Sequence, residues 1–181
     1  DLQFKKLISD ELKRLYGVEV SVEFFADLID VSDEEWHNAV EGYLNTQRMD
    51  LIIEPRYFNA AYQIYKKAHL EHNVHGCRII DTESVLAAQR YVVPNSLADV
   101  VSSENKYAAA YAKHLLGGVS RCFDDDKIRD NRTSITKDCM LYKNFAVSGI
   151  NREIYGTPYI GVNSIKKQLE NKTRELAQTE A

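Results

Sequence analysis

Two short clusters contain side chains that could support metal chemistry. In the first, His69, His72 and His75 recur at three-residue spacing and Cys77 follows, so the run holds imidazole and thiol groups of the kind that bind zinc. His75 lies beyond the expected end of the helix that would carry His69 and His72, which disfavours a closed tetrahedral shell. We interpret the run as the solvated end of a helix, with metal binding as the alternative.

Three consecutive aspartates, Asp124–Asp126, form the second cluster. Clustered carboxylates hold magnesium at phosphoryl-transfer sites, but three adjacent side chains cannot all point at one ion. Negative charge near the start of a short helix accounts for the run, because Lys127 and Arg129 follow it.

No phosphate-binding motif of the GxxxxGK[ST] or GxGxxG type occurs in the chain. The sequence therefore predicts a non-catalytic domain that uses no cofactor and no metal. The alternative is a small metal-dependent nucleic-acid-processing enzyme built on the histidines or the aspartates.

The composition of the 181-residue chain is that of a folded domain, with 44% hydrophobic and 28% charged residues. Its apolar runs fall far short of the roughly 20 residues that cross a bilayer, so no membrane partner is expected. Charged residues stand in the first 15 positions, where a secretory signal needs an apolar core, which predicts a cytoplasmic protein. Three widely spaced cysteines without a CxxC pair argue against a disulfide framework.

The charge of the chain is unevenly distributed. Residues 1–126 contain 13 Lys and Arg against 21 Asp and Glu, whereas residues 127–176 contain 10 against 5. A basic end is typical of a surface that meets a polyanion, although solvated mixed-charge faces produce it too. Weak, sequence-independent binding of double-stranded DNA is one hypothesis, and a surface of solvated ion pairs is the other.

Amphipathic helices are expected at both ends of the chain. Residues 2–16 place apolar side chains at three- and four-residue spacing, and Gly17 ends the pattern. A second such pattern runs from Asn163, an expected N-cap, to Leu176. The narrow apolar faces predict the start and return of an antiparallel coiled coil, with two separate surface helices as the alternative.

Strands and helices alternate between the two ends. Period-two alternation predicts a strand over Val18–Phe25. Ser32 and Glu35 have the spacing of a capping box before a helix that ends near Leu44. The other expected strands are Leu51–Ile53, Arg78–Ile80, Ser134–Thr136 and Leu141–Val147.

The second half of the chain repeats the first at an offset of 72 positions. This shift places Ala26–Asp27 on Ala98–Asp99 and Asp33–Leu44 on Asn105–Leu116 without a gap. The repeat predicts a mixed α/β (α+β) fold of two related subdomains, each with a small sheet and packed helices. Chance similarity between two amphipathic helices is the alternative.

Segments of the first half resemble the hinge domain of SMC proteins, the chromosome-organising ATPases. Phe24–Val31, Trp36–Glu41 and Leu51–Ile53 resemble a strand, a helix and a buried strand of that domain. In the second half, His114–Gly117 resembles its LLG turn.

Two later segments extend the resemblance. Arg132–Asp138 is similar to the R-x-x-T-x-D strand of the hinge, with one extra residue and with Cys139 in place of the usual following Gly. Ile154–Gly161 looks most like the condensin-like, MukB-type SMC subunit of bacterial Wadjet plasmid-defence systems. The resemblance implies four regions: an incoming coiled-coil helix (1–17), subdomain I (18–95), subdomain II (96–161) and an outgoing helix (162–181).

This resemblance implies a homodimerisation hinge that joins two coiled-coil arms of an SMC-like ATPase, with the ATPase heads outside this chain. The implied partners are a second copy of the chain, double-stranded DNA and other subunits of an SMC-like complex, at the nucleoid, in plasmid defence or chromosome organisation. A monomeric adaptor domain is a further alternative.

Particular residues are expected at both implied surfaces. The dimer interface is expected to contain Arg78, Ile79, Ile80, Ser134, Ile135, Thr136, Phe145, Ala146, Val147 and Gly149. The DNA-binding surface is expected to contain Arg132, Lys137, Lys143, Arg152, Lys166 and Lys167.

Overall fold

The computed structural model describes residues 1–161 and 164–180, and in these residues helices and short strands alternate. The helices are α1 (Leu2–Tyr16), α2 (His37–Leu44), α3 (Phe58–His72), α4 (Thr82–Ala87), α5 (Lys106–Leu116), α6 (Arg152–Gly156) and α7 (Ser164–Glu180). The strands are β1 (Glu23–Phe24), β2 (Asp30–Val31), β3 (Leu51–Ile52), β4 (Val101–Ser102), β5 (Ser120–Arg121), β6 (Ser134–Ile135), β7 (Met140–Lys143) and β8 (Ala146–Gly149).

Helix α1 packs its apolar face inside the chain. Its buried side chains Phe4, Ile8 and Leu12 share a cluster with β1, β3 and α3. The face expected to join a coiled coil is therefore covered by the first half of the fold. Gly17 ends the helix in the left-handed conformation at φ 70°, as the sequence predicts.

The first sheet is smaller than expected. Only Glu23–Phe24 of the predicted strand Val18–Phe25 pairs with β3, whereas Val20 and Val22 are buried in the α1 cluster without lying in a strand. Burial rather than pairing therefore explains the alternating pattern.

None of the described helices is long and apolar enough to cross a membrane.

The two halves meet through equivalent strands. β2 and β4 pair antiparallel, with Asp30 opposite Ser102 and Val31 opposite Val101. Asp30 and Ser102 occupy equivalent positions in the two repeats, since they are 72 residues apart. Equivalent residues lie opposite each other when two copies of a strand are related by a two-fold axis, so the two repeats are related locally by such an axis. The 3-10 turns that precede these strands, Phe25–Leu28 and Leu97–Val100, differ by the same 72 positions.

The expected capping box at Ser32 is wrong. Ser32 donates both its backbone N–H and its hydroxyl to Val100 O, at 2.8 and 3.2 Å, and so extends the contact between the halves. Asp33 caps the following turn instead, because its carboxylate accepts a hydrogen bond from the Glu35 N–H at 3.0 Å.

One main core then spans both halves, with Trp36, Leu97 and Ile135 fully buried in it.

The second half contains a four-stranded sheet in the order β5-β6-β7-β8. β5 and β6 are parallel, and the other neighbours are antiparallel. The predicted single strand Leu141–Val147 is wrong, because the chain reverses at Asn144 and Phe145. Both residues have positive φ, 51° and 65°, as in a two-residue hairpin turn of the primed type.

A buried carboxylate holds the end of the fold against α2. Glu41 is fully buried and accepts hydrogen bonds from Arg48 Nη1 and from the backbone N–H groups of Tyr159 and Ile160, at 2.8–3.1 Å. The Oε2 atom of Glu41, which also accepts from Ile160, lies 2.8 Å from His37 Nε2. Burial alone would raise the pKa of Glu41, but these hydrogen bonds outweigh it and hold the pKa below the usual 4.5.

Replacing this carboxylate should make the fold less stable and less sensitive to acid. Glu41→Gln should lower the free energy of unfolding at pH 7 by about 3–5 kcal/mol, because Arg48 stays buried without its counter-ion. The folded pKa is depressed, so wild-type Glu41 stabilises the fold above the unfolded pKa and this contribution is lost as the pH falls through the folded value. Urea unfolding from pH 7 to pH 3 should therefore show a flatter profile for the variant. Glu54→Gln, at an exposed ion pair, is the control and should change stability by less than about 1 kcal/mol.

Candidate dimerisation site

β8 is an open edge of the four-stranded sheet. All four of its residues are exposed, and β7 is its one strand neighbour in the described chain. Ile150 donates its N–H to Cys139 O at 3.0 Å, which fixes the alternation of bonded and outward-facing residues along the hairpin. The backbone N–H and C=O groups of Val147 and Gly149 therefore point away from β7.

The opposite edge of the same sheet is covered. Ser96 bridges Ser120 of β5, and Leu97 and Arg121 donate backbone N–H groups to Val119 and Asn95, at 2.7 and 2.9 Å. A new strand can therefore extend this sheet at β8 and not at β5.

A second open edge lies in the first half, at Arg78–Ile80. Leu51 donates its N–H to Arg78 O and accepts the Ile80 N–H, at 2.9 and 3.0 Å, as in a parallel pair. This pattern turns the N–H and C=O of Ile79 away from Leu51, and neither has a backbone partner within residues 1–161 and 164–180. The segment thus continues the β1-β3 sheet and leaves one side free.

A buried polar cluster anchors this edge to the second half. Arg78 binds both oxygens of Asp50, at 2.9 and 2.8 Å, and Tyr111 of α5 donates its hydroxyl to Asp50 Oδ2 at 2.7 Å. Asp50 is buried, and burial raises its pKa, an effect that the Tyr111 and Arg78 hydrogen bonds partly offset. Burial and the neighbouring Asp50 carboxylate likewise raise the pKa of Tyr111, so it stays a hydrogen-bond donor. The sequence singled out neither Asp50 nor Tyr111, because their contact joins residues 61 positions apart.

The structure separates the predicted interface residues into three places. Arg78–Ile80 forms one open edge, and Phe145, Ala146, Val147 and Gly149 lie at or beside the other, with Phe145 95% exposed. Ser134, Ile135 and Thr136 are at most 4% exposed, and β6 lies between β5 and β7. Ser134–Thr136, which was expected at the interface, therefore offers no free strand edge, because both sides of this strand are already paired.

Four of the six predicted DNA-binding residues have described side chains, and these four are exposed, although one of them forms an ion pair. Lys137 Nζ lies 2.7 Å from Glu35 Oε2, which neutralises its charge. Arg132, Lys143 and Arg152 are exposed and have no carboxylate partner in the described part of the chain. The side chains of Lys166 and Lys167 lie outside the described residues, as does Asn163.

The metal-type clusters do not converge. His69 Nδ1 and His75 Nδ1 lie 2.8 and 2.7 Å from the backbone oxygens of Val74 and Asn73, at the end of α3. Among the described residues, no three His, Cys, Asp or Glu side chains are grouped so as to hold a metal ion. Asp124 instead caps the turn Asp125–Lys127 by accepting the Asp126 N–H at 3.1 Å.

The anchor of the Arg78 edge can be tested by removing one hydroxyl. Tyr111→Phe should lower the free energy of unfolding by about 1–3 kcal/mol, because the buried Asp50 carboxylate loses a donor. Tyr107→Phe, on the same helix and without a hydrogen bond from its hydroxyl within the described chain, should change it by less than about 0.5 kcal/mol. Urea unfolding monitored by circular dichroism measures both. Equal losses for the two variants would contradict the assigned role.

Known structures place this geometry in a recognised fold. The Pyrococcus furiosus SMC hinge domain is 21% identical, with a TM-score of 0.59 over 78% of each chain. The Geobacillus stearothermophilus SMC hinge domain, solved as an asymmetric dimer, is 13% identical, with a TM-score of 0.57 over 96% of this chain and 74% of that one. A structure of the folded elbow of cohesin is 15% identical, with a TM-score of 0.66 over 99% of this chain and 26% of that chain.

Sequence comparisons alone find no relative. No protein-family model matches the chain, and no curated protein matches it. At these identities the structural likeness defines the fold, and the mixed α+β arrangement of small sheets and packed helices agrees with it. The chain has the fold of an SMC hinge domain.

Proposed function

We propose that this chain is the homodimerisation hinge of an SMC-like protein. The observation that carries the proposal is the pair of open strand edges, one in each half of the fold, at β8 and at Arg78–Ile80. Exposed edges pair with other strands unless they are covered, so a fold that retains two of them is suited to self-association.

A two-fold dimer satisfies both edges at once. In it, β8 of each protomer pairs with Arg78–Ile80 of the other, so the same contact forms twice and no edge is left over. The interface then contains the exposed backbone groups of Ile79, Val147 and Gly149. Ser134–Thr136 supports β7 from behind instead of contacting the partner.

Helix α7 has an exposed apolar face that suits a coiled-coil arm. Helices α1 and α7 begin and end the described fold, and Leu169 and Leu176 lie seven positions apart on α7 with 62% and 63% of their surface exposed. A seven-residue repeat of exposed leucines is typical of a coiled-coil face. ATP hydrolysis belongs to heads outside this chain, and the domain itself is non-catalytic.

The biological setting depends on one segment. The resemblance of Ile154–Gly161 to the MukB-type subunit of Wadjet systems supports a role in plasmid defence, with chromosome organisation as the alternative. A metal-dependent enzyme is disfavoured, because His69, His75 and Asp124 bind nearby backbone groups and no three metal-type side chains converge among the described residues.

Blocking one outward N–H should weaken the dimer. Val147→Pro removes a donor that faces away from β7, so the hairpin keeps its own hydrogen bonds, and proline is tolerated on edge strands. The dimer dissociation constant should rise about 30-fold or more, because each of two symmetric contacts loses about 1–3 kcal/mol. Analytical ultracentrifugation over a concentration series measures the change.

Val147→Thr is the matched control for this experiment. It keeps the N–H and a β-branched side chain, so the dimer should persist. Ile79→Pro should have the effect of Val147→Pro at the opposite edge. A wild-type chain that sediments as a 20.7 kDa monomer at high micromolar concentration would rule out the hinge proposal.

The second candidate function is weak binding of double-stranded DNA. Lys143 lies over the ring of Tyr43 on α2 at 5.3 Å, and Arg152 begins α6, which packs on α2. Both cations are therefore on the α2 side of the fold and free of carboxylates in the described chain. A dimer doubles the number of phosphates that they can engage, which steepens the salt dependence of binding.

Charge reversal tests this second function. The double variant Lys143→Glu/Arg152→Glu should weaken binding of a duplex at about 50 mM salt and reduce the log–log salt slope by about 0.9 for each phosphate that is no longer neutralised. Lys106→Glu, in the acidic part of the chain, is the control and should bind like the wild type. Fluorescence anisotropy across a salt titration measures affinity and slope together. Undiminished binding by the double variant would assign any DNA contact to other residues.

A further inference from the structure

The tip of the β7–β8 hairpin carries an unusual residue for its backbone. Asn144 and Phe145 both have positive φ, a conformation in which Asn-Gly is favoured and a bulky residue is strained. Phe145 is nevertheless 95% exposed, so its ring has almost no contact within the chain to offset this strain. A strained, exposed aromatic side chain beside an open strand edge indicates a contact with another molecule.

A groove of matching chemistry lies beside the other open edge. It has a volume of about 680 Å³ and runs between α3 and the segment that contains Ile79. Its lining includes Phe58, Tyr62, Tyr65 and Ile79, with Lys66 and His69 at its side. Tyr65 is held in place by donating its hydroxyl to Cys77 O at 2.7 Å, whereas Tyr62 is 49% exposed.

Strand geometry brings the tip to this groove. The outward backbone groups of Val147 and Ile79 can bond to each other directly in an antiparallel pair. Phe145 then lies two residues further along, beside Asp81, which lines the groove. Phe145 lies in the turn that precedes β8, so its ring stands at the end of the paired segment, next to Asp81. Ile79 and Tyr65 both pack against the α1 cluster, which includes Ala61 of α3.

We infer that Phe145 of each protomer inserts into the groove between α3 and Ile79 of a second copy of this chain. The inference rests on the proposed dimer and names the side chain that locks it. The aromatic ring meets Tyr62 and Ile79 there and lies within reach of the cationic side chain of Lys66, a favourable neighbour for an aromatic face. Each dimer contains two such contacts.

Removing the ring should separate dimerisation from folding. Phe145→Gly relieves the positive-φ strain, so the monomer should melt at a higher temperature at low concentration, while the dimer dissociation constant rises about 30-fold or more. Asn144→Gly also places a glycine at a positive-φ position of the turn but keeps the ring, so its dimer should match the wild type. Tyr62→Glu, at an exposed helix position, should weaken the dimer as strongly as Phe145→Gly.

Mixing the two defective variants gives a sharper test. A heterodimer of Phe145→Gly with Tyr62→Glu retains one intact contact, in which the Phe145 of one protomer enters the unaltered groove of the other. Each homodimer retains none. Random pairing of equal amounts already gives twice as much heterodimer as each homodimer, so native mass spectrometry of differently tagged chains should show a heterodimer excess well above that ratio.

The outcomes separate this inference from the hinge proposal. A Phe145→Gly chain that dimerises like the wild type, while Val147→Pro is monomeric, would overturn the insertion and leave the hinge intact. Absence of heterodimer enrichment would also overturn the insertion, because it would place Phe145 against another surface. A monomeric wild type would overturn both.

Discussion

The antiparallel pairing of Asp30–Val31 with Val101–Ser102 is the contact on which the arrangement of the two halves depends. It joins equivalent segments of a repeated unit, and its register, Asp30 opposite Ser102, is that of a local two-fold axis. Each half therefore uses one short strand to hold the other, and the core with Trp36 and Leu97 closes around that contact. The two edges left unpaired, β8 and Arg78–Ile80, belong to different halves. Because the two edges lie in different halves, β8 of one copy can face Arg78–Ile80 of a second copy, and the reverse.

Two buried carboxylates fix the positions of two segments, the Arg78 edge and the backbone at Tyr159 and Ile160, which apolar packing alone would not specify. Asp50 joins the Arg78 edge to Tyr111 in the opposite half, and Glu41 holds the backbone at Tyr159 and Ile160 just before α7. Hydrogen bonds to a charged acceptor are short and directional, so each carboxylate specifies position as well as contact. The backbone at Tyr159 and Ile160 and the Arg78 edge are consequently both tied to the shared core.

The sequence predicted the parts of this structure that depend on local pattern. Spacing along the chain predicts the amphipathic α1, its end at Gly17 and the 72-residue repeat. The offset of the repeat also equals the separation of Asp30 and Ser102, which lie opposite each other where β2 pairs with β4. Features set by long-range pairing were missed. Leu141–Val147 has a strand-like composition, and only the backbone at Asn144 and Phe145 reveals a hairpin. Burial of Ser134–Thr136 depends on β5 and β7 lying on either side, which no local pattern reports.

The shortness of the open edges bears on what they can form. β8 has four residues and the other edge three, so neither offers the long, flat template that promotes open-ended strand addition. One such edge pair supplies few hydrogen bonds, and a chain of molecules joined by single contacts would be weak. A two-fold dimer doubles the contact at no further loss of rotational and translational freedom, and it leaves no edge for a third molecule. In the proposed dimer, closure therefore follows from the weakness of each contact, because the arrangement that makes both contacts at once is the one that would hold two protomers together.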